Sequence, residues 1–159
     1  MKNIDRSKMV REQIDFAASD TILFFAPYPE ELRLMQAEEW RPVIDRINAA
    51  GCDFKPVDGL NVPPLTDRTQ AYLANRLNAL SDEELPAFCA VSGGCRSVIL
   101  ALAVLDDYLT PERAFDLAVL EESFQNKIWR EDPDALVSRE GRRKAVLEAA
   151  CKLKGKENG

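Results

Sequence analysis

One acidic residue, Glu121, stands among apolar residues at helical spacing, and it is the first candidate for chemistry. If residues 111–129 form one helix, four apolar side chains fall within about 60° of Glu121 on the helix surface: Ala114, Leu117, Phe124 and Ile128. The neighbouring Glu122 then points well away from that face. A carboxylate on a buried face costs free energy unless a cation or hydrogen-bond donors compensate it. The pattern therefore predicts a carboxylate with a dedicated partner at Glu121.

Two interpretations of that partner are open. An internal ion pair could hold Glu121, with Arg96 as the cation, because Arg96 is the odd charge beside the other strongly apolar stretch. Alternatively, a partly covered carboxylate could be reserved for a partner protein. Spacing alone favours the ion pair, since structural ion pairs produce the same pattern.

Side chains for other kinds of chemistry are scarce. The chain has no histidine, the commonest general base and zinc ligand, and its four cysteines form no CxxC pair. We expect reduced thiols that fill apolar space. Ser92–Gly94 lacks the ending of a phosphate loop and follows a helix, so we interpret it as a helix break that permits close packing. No catalytic constellation can be assembled, and the sequence predicts no enzyme, no cofactor, no bound metal and no small-molecule substrate.

The composition is that of a globular domain. Of 159 residues, 46% are hydrophobic and 30% are charged, and 21 basic against 27 acidic residues give a net charge of −6. An acidic surface argues against nucleic acid or anionic lipid as the main partner. The longest apolar run, Val98–Leu105, is far shorter than the ~18–20 residues that span a bilayer, which predicts no membrane insertion. Residues 1–6 mix acid with base and carry no secretory or transit pattern, which predicts a soluble protein of the bacterial cytoplasm or the mitochondrial matrix.

Helical periodicity dominates the chain, so the predicted fold class is mainly α. We expect one compact multi-helix domain over residues 1–159, with two or three short strands at most. Residues 1–28 should hold a first helix and a short buried strand at Thr21–Phe25, with which residues 52–57 could pair briefly. Residues 29–155 should form the helical core. Capping residues at Ser81, Thr110 and Asp132 mark expected helix starts.

Three further features carry expectations about packing. Pro42 should kink, or restart one turn later, a helix that begins at Glu30 and stops at Gly51. Core packing is the default for Trp40 and Trp129, although tryptophan is also enriched at interface hot spots. A basic cluster on a late helix is most simply a solvated face: Arg139, Arg142, Arg143 and Lys144.

Several segments resemble the Atp12 family in order and spacing, over residues 5–150. Gln36, Trp40 and Pro42 match its Q-x-x-x-W-x-P-hydrophobic signature, and the stretch from Asp20 is similar to its acid-led hydrophobic segment. The residues from Ser97 to Ala103 resemble its S-hydrophobic-ALA helix. The best match is the run Leu120-Glu121-Glu122-Ser123-Phe124-Gln125, followed by Trp129-Arg130-Glu131-Asp132 and Pro133-Asp134-Ala135. Two departures occur, at Arg96 and Arg130, where the family is expected to have glycine.

The resemblance implies a binding function. Atp12-family proteins hold the newly made α subunit of F1 ATP synthase before it meets the β subunit, and they shield it from aggregation. The functionally important glutamate of the family motif falls on Glu121, which shifts the interpretation of that residue toward a partner-facing carboxylate. Phe124, Gln125 and Trp129 are then expected to contact the partner or to support Glu121. The structural-motif positions are Gln36, Trp40, Pro42, Arg96 and Ser97.

Family members usually carry a β-rich domain ahead of the helical one. We therefore expect this chain to correspond to the helical C-terminal domain, either as an excised domain or as a shortened member. The alternative function is a small acidic helical adaptor that regulates another protein by helix-in-groove contact.

Overall fold

A computed structural model describes residues 5–27, 29–57, 63–128 and 133–153. These ranges hold eight α-helices and no strand, which confirms the mainly helical prediction. None of the described helices is both long and apolar enough to cross a membrane. The helices are α1 (Arg6–Ala17), α2 (Glu30–Gly51), α3 (Asp67–Asn78), α4 (Glu84–Cys95), α5 (Val98–Leu105), α6 (Pro111–Ala118), α7 (Leu120–Ile128) and α8 (Pro133–Leu153).

Helix starts follow the capping residues that the sequence offers. Ser81 and Glu84 form the expected capping box, in which each side chain accepts a hydrogen bond from the other residue's backbone N–H, at 3.0 and 2.9 Å. The hydroxyl of Thr110 accepts from the N–H of Arg113 at 3.1 Å. Asp132 lies outside the described residues, although α8 begins directly after it.

The core is built around α5, in which every residue from Val98 to Val104 is buried. Helices α1, α2, α4 and α6 all pack against it, and α4 also packs along α8. A helix that is apolar all round has no face for water, so α5 is stable only when it is surrounded.

The N-terminus of α5 is capped inside the core by two side chains. The hydroxyl of Ser97 accepts from the N–H of Leu100 at 2.9 Å, and Asp20 Oδ2 accepts from the N–H of Ile99 at 2.9 Å. Asp20 Oδ1 accepts from the N–H of Ile22 at 3.2 Å. Burial raises the pKa of Asp20 to about 6, although the hydrogen bonds from Ser97 and the backbone act to lower it.

The predicted strand at Thr21–Phe25 is wrong. Residues Thr21–Leu23 form a 3₁₀ helix, because the Asp20 side chain caps this turn through the N–H of Ile22. Phe24 is extended and forms an isolated parallel bridge with Val57. The predicted pairing with residues 52–57 therefore exists, but it is reduced to this bridge.

Of the two outcomes predicted at Pro42, a kink or a restart one turn later, the restart is wrong and the kink stays a prediction. The helix runs from Glu30 to Gly51 as one element with Pro42 inside it. Pro42 is exposed, and the carbonyl group that loses a hydrogen bond to it belongs to the exposed residue Glu38. Water can satisfy that carbonyl, so the proline is tolerated.

The glycines Gly93 and Gly94 do not break their helix, contrary to the prediction. Helix α4 continues to Cys95 and ends at Arg96, which adopts a left-handed conformation with φ 56°. The expected close packing is present: a Cβ on Gly94 would lie 2.3 Å from Cγ2 of the buried Val146 in α8, whereas a Cβ on Gly93 would meet nothing within 4 Å.

These two neighbouring glycines make a matched pair of variants. Gly94→Ala should lower the free energy of unfolding by about 1–3 kcal/mol, because the added methyl forces α4 and α8 apart. Gly93→Ala should raise it by roughly 0.5–1 kcal/mol, since alanine loses less backbone entropy in a helix. Denaturant unfolding of both variants measures the difference. Equal effects at the two positions would contradict the α4–α8 contact.

The buried Asp20 predicts a pH dependence of stability. Its pKa in the folded chain, about 6, lies above the ordinary value of 3.8, so the folded state binds this proton more tightly than the unfolded state. The stabilising contribution is fully present below pH ~4, is lost as the pH rises through ~6, and amounts to about 3 kcal/mol. In Asp20→Asn, the free energy of unfolding should fall less between pH 4 and pH 7 than in the wild type. Identical pH profiles would contradict the assignment.

Candidate partner-binding surface

The helix predicted across residues 111–129 is interrupted. Helix α6 ends at Ala118, Val119 forms a turn with φ −105° and ψ 19°, and α7 begins at Leu120. The interruption changes the helical register, so the count that placed Glu121 on an apolar face does not apply. Glu121 is exposed on the first turn of α7, and its predicted place on a buried face is wrong.

Trp40 fixes the end of α6 from the core side. Its buried indole donates a hydrogen bond from Nε1 to the carbonyl oxygen of Leu117 at 2.8 Å, and its ring packs edge-on against Phe25 at a centroid distance of 5.8 Å. Carbonyls in the last turn of a helix lack intrahelical donors. Trp40 therefore satisfies one of them and positions the junction from which α7 departs. The default prediction of core packing holds for Trp40.

An open hollow of about 280 Å³ lies beside this junction. It is lined by Thr21, Arg96, Ala118, Glu121, Glu122 and Arg142. Glu121 and Arg96 thus share a hollow, but within the described ranges no ion pair joins them. The internal pair that spacing favoured is absent there. Glu122, which was predicted to face elsewhere, lines the same hollow.

Arg142 holds α8 to three other helices at this hollow, α4, α7 and α6. Its Nε donates to the carbonyl oxygen of Gly94 at 3.1 Å, and its terminal amino group lies 3.3 Å from the carboxylate of Glu122. Its guanidinium also stacks over Phe115, at 5.4 Å from the ring centroid. The prediction of a solvated face is therefore wrong for Arg142. The sequence carried a signal, because Arg142 precedes the buried Val146 by one helical turn and shares its face of α8.

Three other residues were predicted to contact the partner or to support Glu121, namely Phe124, Gln125 and Trp129. Phe124 is half-buried on α7. Gln125 lies on α7, but its side chain is outside what the structure describes, and so is all of Trp129. Their proposed roles remain predictions.

Besides Trp40, two more of the structural-motif residues serve the core. Gln36 is fully buried, and its Oε1 accepts a hydrogen bond from the N–H of Ala26 at 2.7 Å, which ties the segment after the 3₁₀ helix to α2. Its Nε2 has no hydrogen-bond partner in the described structure. Ser97 caps α5, as given above. The other two motif residues, Pro42 and Arg96, are exposed.

The cysteines do not assemble into a site. Cys52 and Cys95 are buried, Cys89 is half-buried, Cys151 is exposed, and all four are free. Burial raises the pKa of the Cys52 and Cys95 thiols to about 12, which keeps them protonated. Among the described residues, no group of three or more potential ligands converges on a metal position.

Three comparisons relate this chain to known proteins. The family model described as ATP12 chaperone protein matches residues 1–48. The mitochondrial protein atp12 of Schizosaccharomyces pombe is 29% identical over 141 residues, which cover 84% of this chain and 48% of the yeast protein. This chain therefore spans about half the length of that relative.

Solved structures share the fold. The crystal structure of Atp12 from Paracoccus denitrificans has a TM-score of 0.87 at 24% identity, over 92% of this chain and 63% of that one. The crystal structure of the Atu1473 protein from Agrobacterium tumefaciens has a TM-score of 0.86 at 29% identity, over 97% of this chain and 58% of that one. This chain is therefore similar to Atp12 proteins in sequence, at 29% identity to the yeast relative, and similar in fold to the solved structures.

Proposed function

We propose that this chain is an assembly chaperone that binds the unassembled α subunit of F1 ATP synthase and protects it from aggregation. The observation that carries the proposal is the likeness to an Atp12 protein over 84% of the chain. The chaperone description belongs to the matched family, and the α subunit is the partner that the resemblance of the motifs implies. On this proposal the chain binds a protein and catalyses no reaction. The compartment would be the one in which F1 is assembled, a bacterial cytoplasm or a mitochondrial matrix.

The hollow at the α6–α7 junction supplies the polar part of the proposed surface. Glu121 is exposed there and makes no ion pair with any described residue. An exposed carboxylate stays hydrated in the free protein, so there is no desolvation penalty until a partner covers it. A cation on the partner would then compensate it, and such charge-assisted contacts favour the right partner over others.

The first turns of α8 supply an apolar part. All residues from 133 to 138 are exposed, and two of them are large aliphatic side chains: Leu136 is 44% exposed and Val137 is 72% exposed. Adjacent exposed aliphatic residues are typical of protein-binding surfaces. Arg142, which lines the hollow, lies on the same helix within two turns of this apolar segment. A chaperone needs such a combination, because unassembled subunits expose apolar surface.

The direct test of the proposal uses refolding α subunit. Light scattering should rise more slowly when equimolar amounts of this chain are present, and an unrelated aggregating protein such as denatured citrate synthase should gain less protection. Equal protection of both clients would indicate a generic adhesive surface. No protection of either client would contradict the proposed function.

Glu121→Gln separates partner binding from folding. Because Glu121 is exposed and unpaired among the described residues, the free energy of unfolding of the variant should differ from that of the wild type by no more than about 0.5 kcal/mol. Affinity for the α subunit should fall, by roughly tenfold if the carboxylate meets a cation. Glu112→Gln, at an exposed position on α6, is the matched control and should leave both quantities unchanged. A large loss of stability in Glu121→Gln with binding intact would remove Glu121 from the proposed surface.

A further inference from the structure

Arg96 occupies a backbone position that favours glycine. Its φ of 56° and ψ of 35° lie in the left-handed region, where it ends helix α4. The turn is made by backbone groups: the N–H of Arg96 donates to the carbonyl of Gly93, and the N–H of Ser97 donates to the carbonyl of Ser92. The carbonyl of Arg96 also accepts from the N–H of Thr21 at 3.2 Å. None of these bonds needs a side chain, so glycine would make the same turn with less strain.

The Arg96 side chain is not used inside the described part of the chain. It is exposed on the wall of the hollow, and it makes no hydrogen bond or ion pair there with any residue that the structure describes. Arg142, on the same hollow, is fully engaged with Gly94, Glu122 and Phe115. Among the residues that the structure describes, the hollow therefore presents two guanidinium groups: that of Arg142 is bound within the fold, and that of Arg96 has no hydrogen-bond or ion-pair partner.

The available groups of the hollow are complementary in charge. Glu122 is paired with Arg142, which leaves Glu121 as the available carboxylate and Arg96 as the available cation among the described lining residues. A guanidinium binds a carboxylate through two parallel hydrogen bonds, which fixes orientation as well as charge. A partner that brings an acidic side chain into the hollow would find its donor already in place.

We propose that Arg96 is a specificity-determining residue of the client-binding surface and that it receives a carboxylate of the client. This inference rests on the proposed chaperone function and adds to it. It assigns the strained conformation of Arg96 to recognition, and it predicts that the client segment entering the hollow is acidic opposite Arg96. The alternatives are a structural role, in which Arg96 stabilises the C-terminus of α4, and an internal pair with Glu121 in solution.

Binding of purified α subunit to the full chain tests the inference, by titration at two salt concentrations. Arg96→Gly should keep or raise the melting temperature and weaken binding by roughly tenfold. Arg96→Lys should bind more tightly than Arg96→Gly but less tightly than the wild type, since the charge remains but the two parallel hydrogen bonds of the guanidinium are lost. Arg96→Glu should bind worst. The salt dependence of binding should be shallower in Arg96→Gly than in the wild type. Arg11→Glu, at an exposed position on α1, is the charge-reversal control and should bind normally.

Each other outcome has a distinct meaning. Unchanged binding in Arg96→Gly would overturn the inference while leaving the proposed function standing. A lower melting temperature in Arg96→Gly, with binding loss in proportion to unfolding, would assign Arg96 a structural role. In the double variant Arg96→Gly with Glu121→Gln, additive losses of affinity are expected; a loss no larger than that of either single variant would indicate that the two side chains pair with each other. Absence of binding by the wild type would defeat the proposed function and this inference together.

Discussion

The need to satisfy the N-terminus of a helix that is buried on every side organises this domain. Helix α5 exposes no polar face, yet its first N–H groups have no partners within the helix. Asp20 and Ser97 supply the acceptors, at 2.9 Å from the N–H groups of Ile99 and Leu100. Because Asp20 must reach α5, the segment that follows it turns back as a 3₁₀ helix and does not extend into a strand. The same constraint brings Thr21 against the Arg96 carbonyl and so forms one wall of the hollow.

A second contact sets the opposite wall. The hydrogen bond from Trp40 to the carbonyl of Leu117 holds the end of α6 against α2, and α7 then starts in a new register after Val119. Glu121 is exposed on the first turn of α7, after this interruption. The two contacts, one at each side of the hollow, are made by residues of the sequence motifs. We infer that these motif residues position the surface and that the side chains on the hollow are the ones that meet the partner.

Local signals in the sequence predicted much of the fold. The capping box at Ser81, the cap at Thr110 and the bounds of α2 depend on neighbouring residues alone, and the structure has them as expected. No glycine or proline marks the interruption at Val119, so the periodicity of residues 111–129 predicted one continuous helix. Placement of Glu121 on a buried face failed for that reason. Gly94 was expected to break α4 and to permit close packing; the helix continues, and the close packing is present against Val146.

On the proposed function, the client binds at the α6–α7 junction and the start of α8. Hydrogen–deuterium exchange of this chain, with and without the α subunit, tests it most directly because it maps contacts without altering any side chain. The account predicts slower exchange in residues 118–124 and 133–142 on binding, with little change in α1 and α3. Protection confined to α1 and α3, with exchange at the junction and at the start of α8 unaltered, would contradict it.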